Sequence, residues 1–598
     1  MNNVIQQVTK KIALRSTDLR NSYLTRIQRQ AKQGKERASL TCGNLAHTVA
    51  ACCTSQKSTI LDFTRVNVGI ISAYNDMLSA HQPYKTYPDQ IKQVLQNSGH
   101  SAQVAGGVPA MCDGVTQGQT GMDLSMFSRD LIAQATAIGL SHNTFDAVLL
   151  LGICDKIAPG QIMGALSFGH LPAAFVPSGP MSTGISNDQK VKVRQQYAAG
   201  KADKKALQAM ESSAYHSPGT CTFYGTANTN QLVFEAMGLM LPGSAFLPPD
   251  SQLRHALTDH IASHMVSIAH GSGDYRPIAQ VMDERTLVNG LVALLASGGS
   301  TNHTIHMIAI ARSAGLIMTW DDLDELSAVV PSLIRMYPNG PADINAFQAA
   351  GGVPTLLKQL AERGLLNMDA QPIYGTMQDY LKRPVLVDGK VTFVEASDST
   401  DDKVIAAPQQ VFSEHGGLKV VAGNLGRGVI KISAVAEQDR FIEAPAMVFE
   451  SQHDVEKAYQ AGHLNRDVSV VVRHNGPAAN GMPELHKLMP ILGNIMKAGF
   501  KVSLITDGRL SGASGKVPAA IHMTPEAQHN GPLSMIQDGD IICLDVNNGS
   551  LNIKADLSIR TPLHPDLSAE HSGAGRELFT LFRHAVSSAE DGATIFNQ

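Results

Sequence analysis

Residues Ala147-Val148-Leu149-Leu150-Leu151-Gly152-Ile153 form an uninterrupted apolar run that ends directly in Cys154-Asp155-Lys156. An apolar run of this length without polar alternation reads as a strand buried on both faces, the mark of a parallel sheet covered by helices. In such sheets ligands gather beyond the carboxyl ends of the strands. A thiol, a carboxylate and an amine delivered together at that point suit a metal or cluster site. The alternative is a buried cysteine acting as a small hydrophobe. Two further strings raise the same question. Gly219-Thr220-Cys221-Thr222-Phe223-Tyr224-Gly225 sets a cysteine among small and polar residues before a helical stretch, and Ala110-Met111-Cys112-Asp113-Gly114 repeats the Cys-Asp pair in a loop.

Around this strand the pattern alternates. An apolar segment at 66–71 ends at Ser72-Ala73-Tyr74-Asn75-Asp76. Helical periodicity follows at 84–95 and 124–140, and a further strand is expected at 171–176. Strands alternating with helices predict a parallel α/β sheet. A chain of 598 residues exceeds what one core supports. We therefore expect an N-terminal parallel-sheet α/β domain over 1–385 and a β-rich, barrel-like C-terminal domain over 405–598. The change is marked by a hairpin signal around Asp388-Gly389, after which β-type segments dominate. Residues 1–40 form a basic helical arm, with Lys and Arg from Lys10 to Arg37 opposed by Asp18 and Glu36. Its stripe of Ile12, Leu19, Tyr23 and Ile27 is expected to pack on the body or on a partner subunit.

Several classes are disfavoured. A net charge of −4 argues against a nucleic-acid binder. No apolar run approaches the ~20 residues needed to span a bilayer, and the start lacks a secretory h-region. Seven cysteines, an odd number without a CxxC pair, argue against a disulfide scaffold and for the reducing cytoplasm. His260 and His264 have zinc spacing but no cysteine pair nearby, and the adjacent Cys52 and Cys53 are expected to be structural.

Four loops carry residues suited to chemistry. Ser297–Asn302, between two helical stretches, is either an anion cradle at a helix start or a tight turn. Gly423–Gly428 presents Arg427 for a phosphate, or is a plain β-turn. The stretch 506–516 collects Arg509, Ser511, Ser514 and Lys516 at a strand end, as an acid/base or phosphate-capturing loop or as a solvated one. In 473–487, Glu484 sits where a helix is expected to begin, as a dipole partner or a metal ligand.

Longer strings carry a resemblance. The Cys221 loop continued through Thr226-Ala227-Asn228-Thr229-Asn230, Tyr74-Asn75-Asp76-Met77-Leu78-Ser79-Ala80-His81-Gln82-Pro83, and Glu450-Ser451-Gln452-His453-Asp454 resemble the dihydroxy-acid/phosphogluconate dehydratase family. The likeness runs from Tyr74 to the 507–511 loop, most of the chain. It implies a [4Fe-4S] cluster on Cys154 and Cys221. It also implies a divalent ion, Mg²⁺ or another, held by Asp113, Asp155, a carbamylated Lys156 and Glu484, with Ser511 as general base. The implied substrate is a phosphorylated sugar acid: 6-phospho-D-gluconate loses water to give 2-dehydro-3-deoxy-6-phospho-D-gluconate, in the Entner-Doudoroff pathway. A homodimer is implied too. The family's first cluster cysteine, in a Pro-Cys-Asn string, falls on Ala73-Tyr74-Asn75, so a third thiolate must come from elsewhere, and Cys112 is the candidate. Arg427, Arg473, Arg509 and Lys516 are the pool for the substrate phosphate. The alternatives are a dehydratase of an unphosphorylated sugar acid or dihydroxy acid, and an iron–sulfur sensing module. The latter would be expected to use four cysteines.

Overall fold

Strand β1 (Asn67–Ser72) is buried along its whole length and is flanked by β2 (Ser101–Gly107) and β3 (Ala147–Leu151), with β4 (Ala173–Phe175) beyond β3. All pairings are parallel, Val68 opposite Ala147 and Ile70 opposite Leu149, so every strand ends at the same edge. The computed structural model describes residues 1–596 apart from Ala513. The apolar run of β3 is fully buried, as its pattern requires.

One contact sets how tightly the sheet is covered. Helix Ile157–Leu166, which begins directly after Lys156, lies against helix Ser125–Leu140. Gly160 and Gly164 make the approach: a Cβ at Gly160 would lie 2.4 Å from the Arg129 carbonyl, and one at Gly164 2.5 Å from the Ala133 carbonyl. The same approach aims the start of the helix.

The N-terminal arm forms helices Asn3–Arg15 and Thr17–Ala31 and packs on the chain's own body. Ile5, Val8 and Ile12 join the main core, Tyr23 and Ile27 close on Ala279, and the Tyr23 hydroxyl donates to the Leu166 carbonyl. Leu19 is only half-buried. No described helix is long and apolar enough to cross a membrane.

A hairpin of β5 (Lys382–Val387) and β6 (Lys390–Glu395) turns at Asp388-Gly389. A closed eight-stranded barrel follows: β7 (Leu418–Gly423), β8 (Gly426–Lys431), β9 (Phe441–Phe449), β10 (Val468–Val472), β11 (Val502–Thr506), β12 (Ala519–Thr524), β13 (Ile541–Asp545) and β14 (Ser550–Ile553). Val421, Ile430, Val471, Ile505, Ile542 and Leu551 fill its interior. Strands β9 to β12 run parallel, so the loops after β10 and β11 leave by one mouth. The expectation of a parallel α/β region followed by a barrel-like β region holds. Two barrel strands were not read from sequence: β9 contains Pro445, which ordinarily demotes a strand, and β12 interrupts its larger apolar residues with Ala519, Ala520 and His522, which give no strong strand pattern. Glu484 does not open a helix. The helix starts at Leu488, and Glu484 instead forms a β-bridge with Arg509.

Gly164→Val drives a branched side chain into the Ala133 carbonyl and Thr136. It should cost at least ~2 kcal/mol by overpacking, read as a lowered denaturation midpoint. Gly200→Ala, at an exposed turn with open space around it, should cost less despite its positive φ.

Candidate functional site

The loops leaving β2, β3 and β4 converge on one point. Cys112 caps the short helix Asp113–Thr116 beyond β2. Cys154, beyond β3, holds a left-handed φ of 73°, a conformation that costs a non-glycine residue about 1 kcal/mol. Asn230 fixes it there, its Nδ2 donating to the carbonyls of Cys154 and Asp155 at 2.9 and 3.1 Å. Beyond β4, Pro180 bridges Thr220, which delivers Cys221; the Cys221 carbonyl accepts from Asn228 Nδ2 at 2.7 Å. Cys112 and Cys154 share a hydrogen bond, which lowers the pKa of the first thiol and raises that of the second. Burial pushes Cys221 up to about 12, and the charge of Cys112 adds to the effect. Three thiols on one sheet edge, two of them next to a ligand-type carboxylate, fit an iron–sulfur cluster.

Beside the thiols lies a buried ionic cluster. Lys156 Nζ donates to Asp113 Oδ2 at 2.5 Å and to Asp155 Oδ2 at 2.6 Å. Arg509 reaches the same two oxygens at 2.9 and 3.4 Å and Glu484 Oε2 at 3.6 Å. Ser125 Oγ donates to Asp113 Oδ1, Gln117 Nε2 to Glu484 Oε1, and His306 Nε2 lies 3.1 Å from Asp155 Oδ1. One oxygen from each of Asp113, Asp155 and Glu484 falls within 4.8 Å of the others, a hard-oxygen set suited to a divalent cation. Burial, reinforced by Asp113, pushes the Glu484 carboxyl up to about 7. Burial would also raise Asp155, but Lys156, His306 and Arg509 together hold it well below the carboxylate range.

Buried polar atoms around the cluster lack partners: both ring nitrogens of His303, His522 Nε2, Asn302 Oδ1 and Asn230 Oδ1. Burial holds His303 and His522 neutral, with pKa values lowered to about 3. Buried polar atoms of this kind call for water or a ligand to complete their hydrogen bonding.

The barrel contributes the other wall. Asp507, after β11, accepts from the backbone N–H groups of His474, Asn475 and Ala527 at 2.9–3.1 Å, tying the loops after β10, β11 and β12 together. Half-buried Ser511 follows in this loop. Its neighbour Gly512 lies so close to the N-terminal region that a Cβ would meet Ser300 Oγ at 2.4 Å and Thr226 Oγ1 at 2.7 Å. Lys431, on β8, is buried under the loop and donates to the Gly512 carbonyl at 3.3 Å; burial alone lowers its pKa to about 7. The Ser297–Asn302 turn serves as a strut. Ser300 Oγ bonds Thr226 Oγ1 and Ser297 Oγ bonds the Tyr224 hydroxyl, both at 2.8 Å, tying the turn to the Cys221 segment, while Ser300 also packs on Gly512 of the Ser511 loop.

Of the cations read from sequence, Arg509 is taken by the carboxylates. Arg427 pairs with Asp321 and Glu590 away from the cluster, and Arg473 pairs with Glu450 and three backbone carbonyls. Lys516 is exposed over the Tyr337 ring. His260 and His264 pack on Tyr374 as ordinary helix residues. Sequence reading missed Ser125, Lys431 and His522, which stand alone in apolar or mixed helices and strands, and also His303 and His306, whose three-residue spacing on one helix was a signal that could have found them.

The sequence profile described as "Dihydroxy-acid/6-phosphogluconate dehydratase N-terminal" matches residues 65–380, and its C-terminal counterpart matches 403–593. The chain is 55% identical to the phosphogluconate dehydratase of Escherichia coli (strain K12), covering 99% of each chain. It is 53% identical to that of Pseudomonas aeruginosa, covering 99% of this chain and 98% of the relative. The dihydroxy-acid dehydratase of Acetivibrio thermocellus is 30% identical over 90% of this chain and 95% of its own.

Replacing Arg509 by Met leaves Asp113 and Asp155 with Lys156 as their one contact cation and Glu484 with none, among the described residues. The loss should be ~3–5 kcal/mol near neutral pH, the usual cost of breaking a buried pair. The guanidinium lowers the folded-state pKa values of Asp155 and Glu484. Its stabilisation is therefore present above the unfolded carboxylate pKa and fades as pH falls. The gap in denaturation midpoint between wild type and Arg509→Met should be widest at pH 8, shrink in part as Glu484 takes its proton near 7, and close only below about pH 4, where Asp155 begins to be protonated.

Proposed function

The chain belongs to the dihydroxy-acid/6-phosphogluconate dehydratase family of hydro-lyases, and we propose that it converts 6-phospho-D-gluconate to 2-dehydro-3-deoxy-6-phospho-D-gluconate and water. The observation that carries this reading is the meeting of cluster-type thiols, a three-carboxylate cation site and the Ser511 loop between sheet edge and barrel mouth. The likeness over nearly the full chain to phosphogluconate dehydratases supports the choice of substrate. Homodimeric assembly and a cytoplasmic location belong to the same proposal, carried by the family resemblance.

In this reading Cys154 and Cys221 ligate a [4Fe-4S] cluster, and Asp113, Asp155 and Glu484 hold a divalent ion, joined by Lys156 once carbamylation turns its amine into an anionic oxygen donor. When bound, these groups supply Lewis acidity to the C3 hydroxyl and to the substrate carboxylate. Ser511 Oγ takes the C2 proton. A serine hydroxyl is too weak a base unless nearby positive charge lowers its pKa. The buried Lys431 amine, bonded to the next residue's carbonyl, supplies that charge when protonated. As the C2–H electrons form the C2–C3 double bond, the C3–O bond breaks, and the departing hydroxide becomes water by taking the proton that Ser511 removed from C2. The enol then tautomerises to the ketone, with no net redox change. The packing of Gly512 on Ser300 and Thr226 keeps the Ser511 backbone from drifting and narrows the entry of water.

Enzyme purified and reconstituted without air should release 2-keto acid from 6-phospho-D-gluconate and little from gluconate. A fully iron-loaded enzyme that leaves 6-phospho-D-gluconate untouched would overturn the reading. Ser511→Ala should lower kcat at least ~10²-fold with KM little changed, as for loss of a positioned base, and should abolish C2 hydrogen exchange with deuterated solvent. Ser514→Ala, in the same loop, should retain most of the activity. If the two variants reverse, the base is Ser514.

A further inference from the structure

The position that carries the family's first cluster cysteine is Tyr74, and Tyr74 is turned outward, 37% exposed with its hydroxyl bonded to Asp76 in its own loop. The edge of the sheet nevertheless gathers three thiols. Cys112-Asp113 leaves β2 and Cys154-Asp155 leaves β3, the two strands that flank β1, and their carboxylates are bridged by the same Lys156 and the same Arg509. Two Cys-Asp pairs thus meet side by side. Cys221 arrives through the Pro180–Thr220 bridge beyond β4, and the helix it precedes clamps the Cys154 and Asp155 carbonyls through Asn230. The other four cysteines lie elsewhere: Cys42 and Cys53 are exposed on the N-terminal segment, Cys52 contacts Gln103, and Cys543 sits on barrel strand β13.

We propose that Cys112 is the third thiolate ligand of the cluster, so that β2, β3 and β4 each deliver one iron ligand and the fourth iron is left open to substrate. The inference rests on the iron–sulfur dehydratase reading above and deepens it. Each thiol loses its proton to solvent as its sulfur bonds iron. The closeness of Cys112 to Cys154 has a second consequence: without the cluster these two thiols are placed to be oxidised together, which makes Cys112 an early target of air.

The test is iron and acid-labile sulfide per chain, with Mössbauer spectra, on anaerobically reconstituted wild type and on the Cys112→Ala, Cys112→Ser, Cys154→Ser, Cys221→Ser and Cys543→Ser variants. Cys112→Ala should lose at least about four-fifths of its iron and sulfide, as Cys154→Ser and Cys221→Ser should, because a cluster on two thiolates is not held. Cys543→Ser should keep the wild-type content. Serine at 112 can offer an oxygen ligand, so partial retention with an altered iron signal in Cys112→Ser also supports ligation. Circular dichroism and melting of the iron-free proteins separate ligand loss from misfolding: the Cys112 variants should match iron-free wild type. Cys112→Ala with wild-type iron, sulfide and spectrum would falsify the assignment. Wild type that takes up no iron would instead sink the dehydratase reading itself.

Discussion

Arg509 is the group on which the rest of the site leans. Its guanidinium is fully buried, touches carboxylates from three separate loops and donates to the Met482 carbonyl at 2.7 Å. Desolvating that many charges is expensive, and it is tolerable only because each is paired and hydrogen-bonded. Asp113 and Asp155 come from the parallel sheet, whereas Glu484 and Arg509 come from the barrel. The ion pairs therefore register the two halves of the chain against each other at the place where chemistry is proposed. The cluster holds three carboxylates and two cations, so a divalent ion has anionic ligands waiting for it, and Glu484, raised to about 7, is the one least committed to its charge.

Strain gathers at the same place. Cys154, His474, Met482 and His522 all hold positive φ without being glycine; the first three lie on loops that reach the cluster or the Ser511 segment, and His522 lies in strand β12. Backbone held in unfavourable conformations persists only where surroundings over-determine it. Here the fixing groups are visible: Asn230 on the Cys154 carbonyl, and Asp507 on the N–H of His474. Gly152 and Gly512 belong to the same design, since any side chain at either would collide with Gln161 or with Ser300 and Thr226.

Part of this was legible in the chain. A continuous apolar run means a strand buried on both faces, so β3 and the parallel sheet follow from periodicity alone, and ligand chemistry at its carboxyl end follows from the topology of such sheets. The Asp-Gly hairpin and the β-rich character of the second half are equally local signals. Cys154, Cys221, Asp113, Asp155 and Glu484 were singled out because they sit in strings of unusual composition at element ends. Arg509 was only one of four cations in the pool for the substrate phosphate; the structure pairs it with three buried carboxylates, which could not be foreseen because nothing local in its loop shows that it is buried.

What the sequence determined by itself was the alternation of elements and the residues placed at their ends, because both are set by the side-chain period and by turn chemistry within a few residues. Only the tertiary structure decided which of those ends meet. Closure of the barrel, the bridge that carries Cys221 to β4, the pairing of Cys112 with Cys154, and the seating of Gly512 on Ser300 join residues far apart in the chain. Each depends on excluded volume and buried charge pairing, and neither leaves a periodic mark in the order of amino acids.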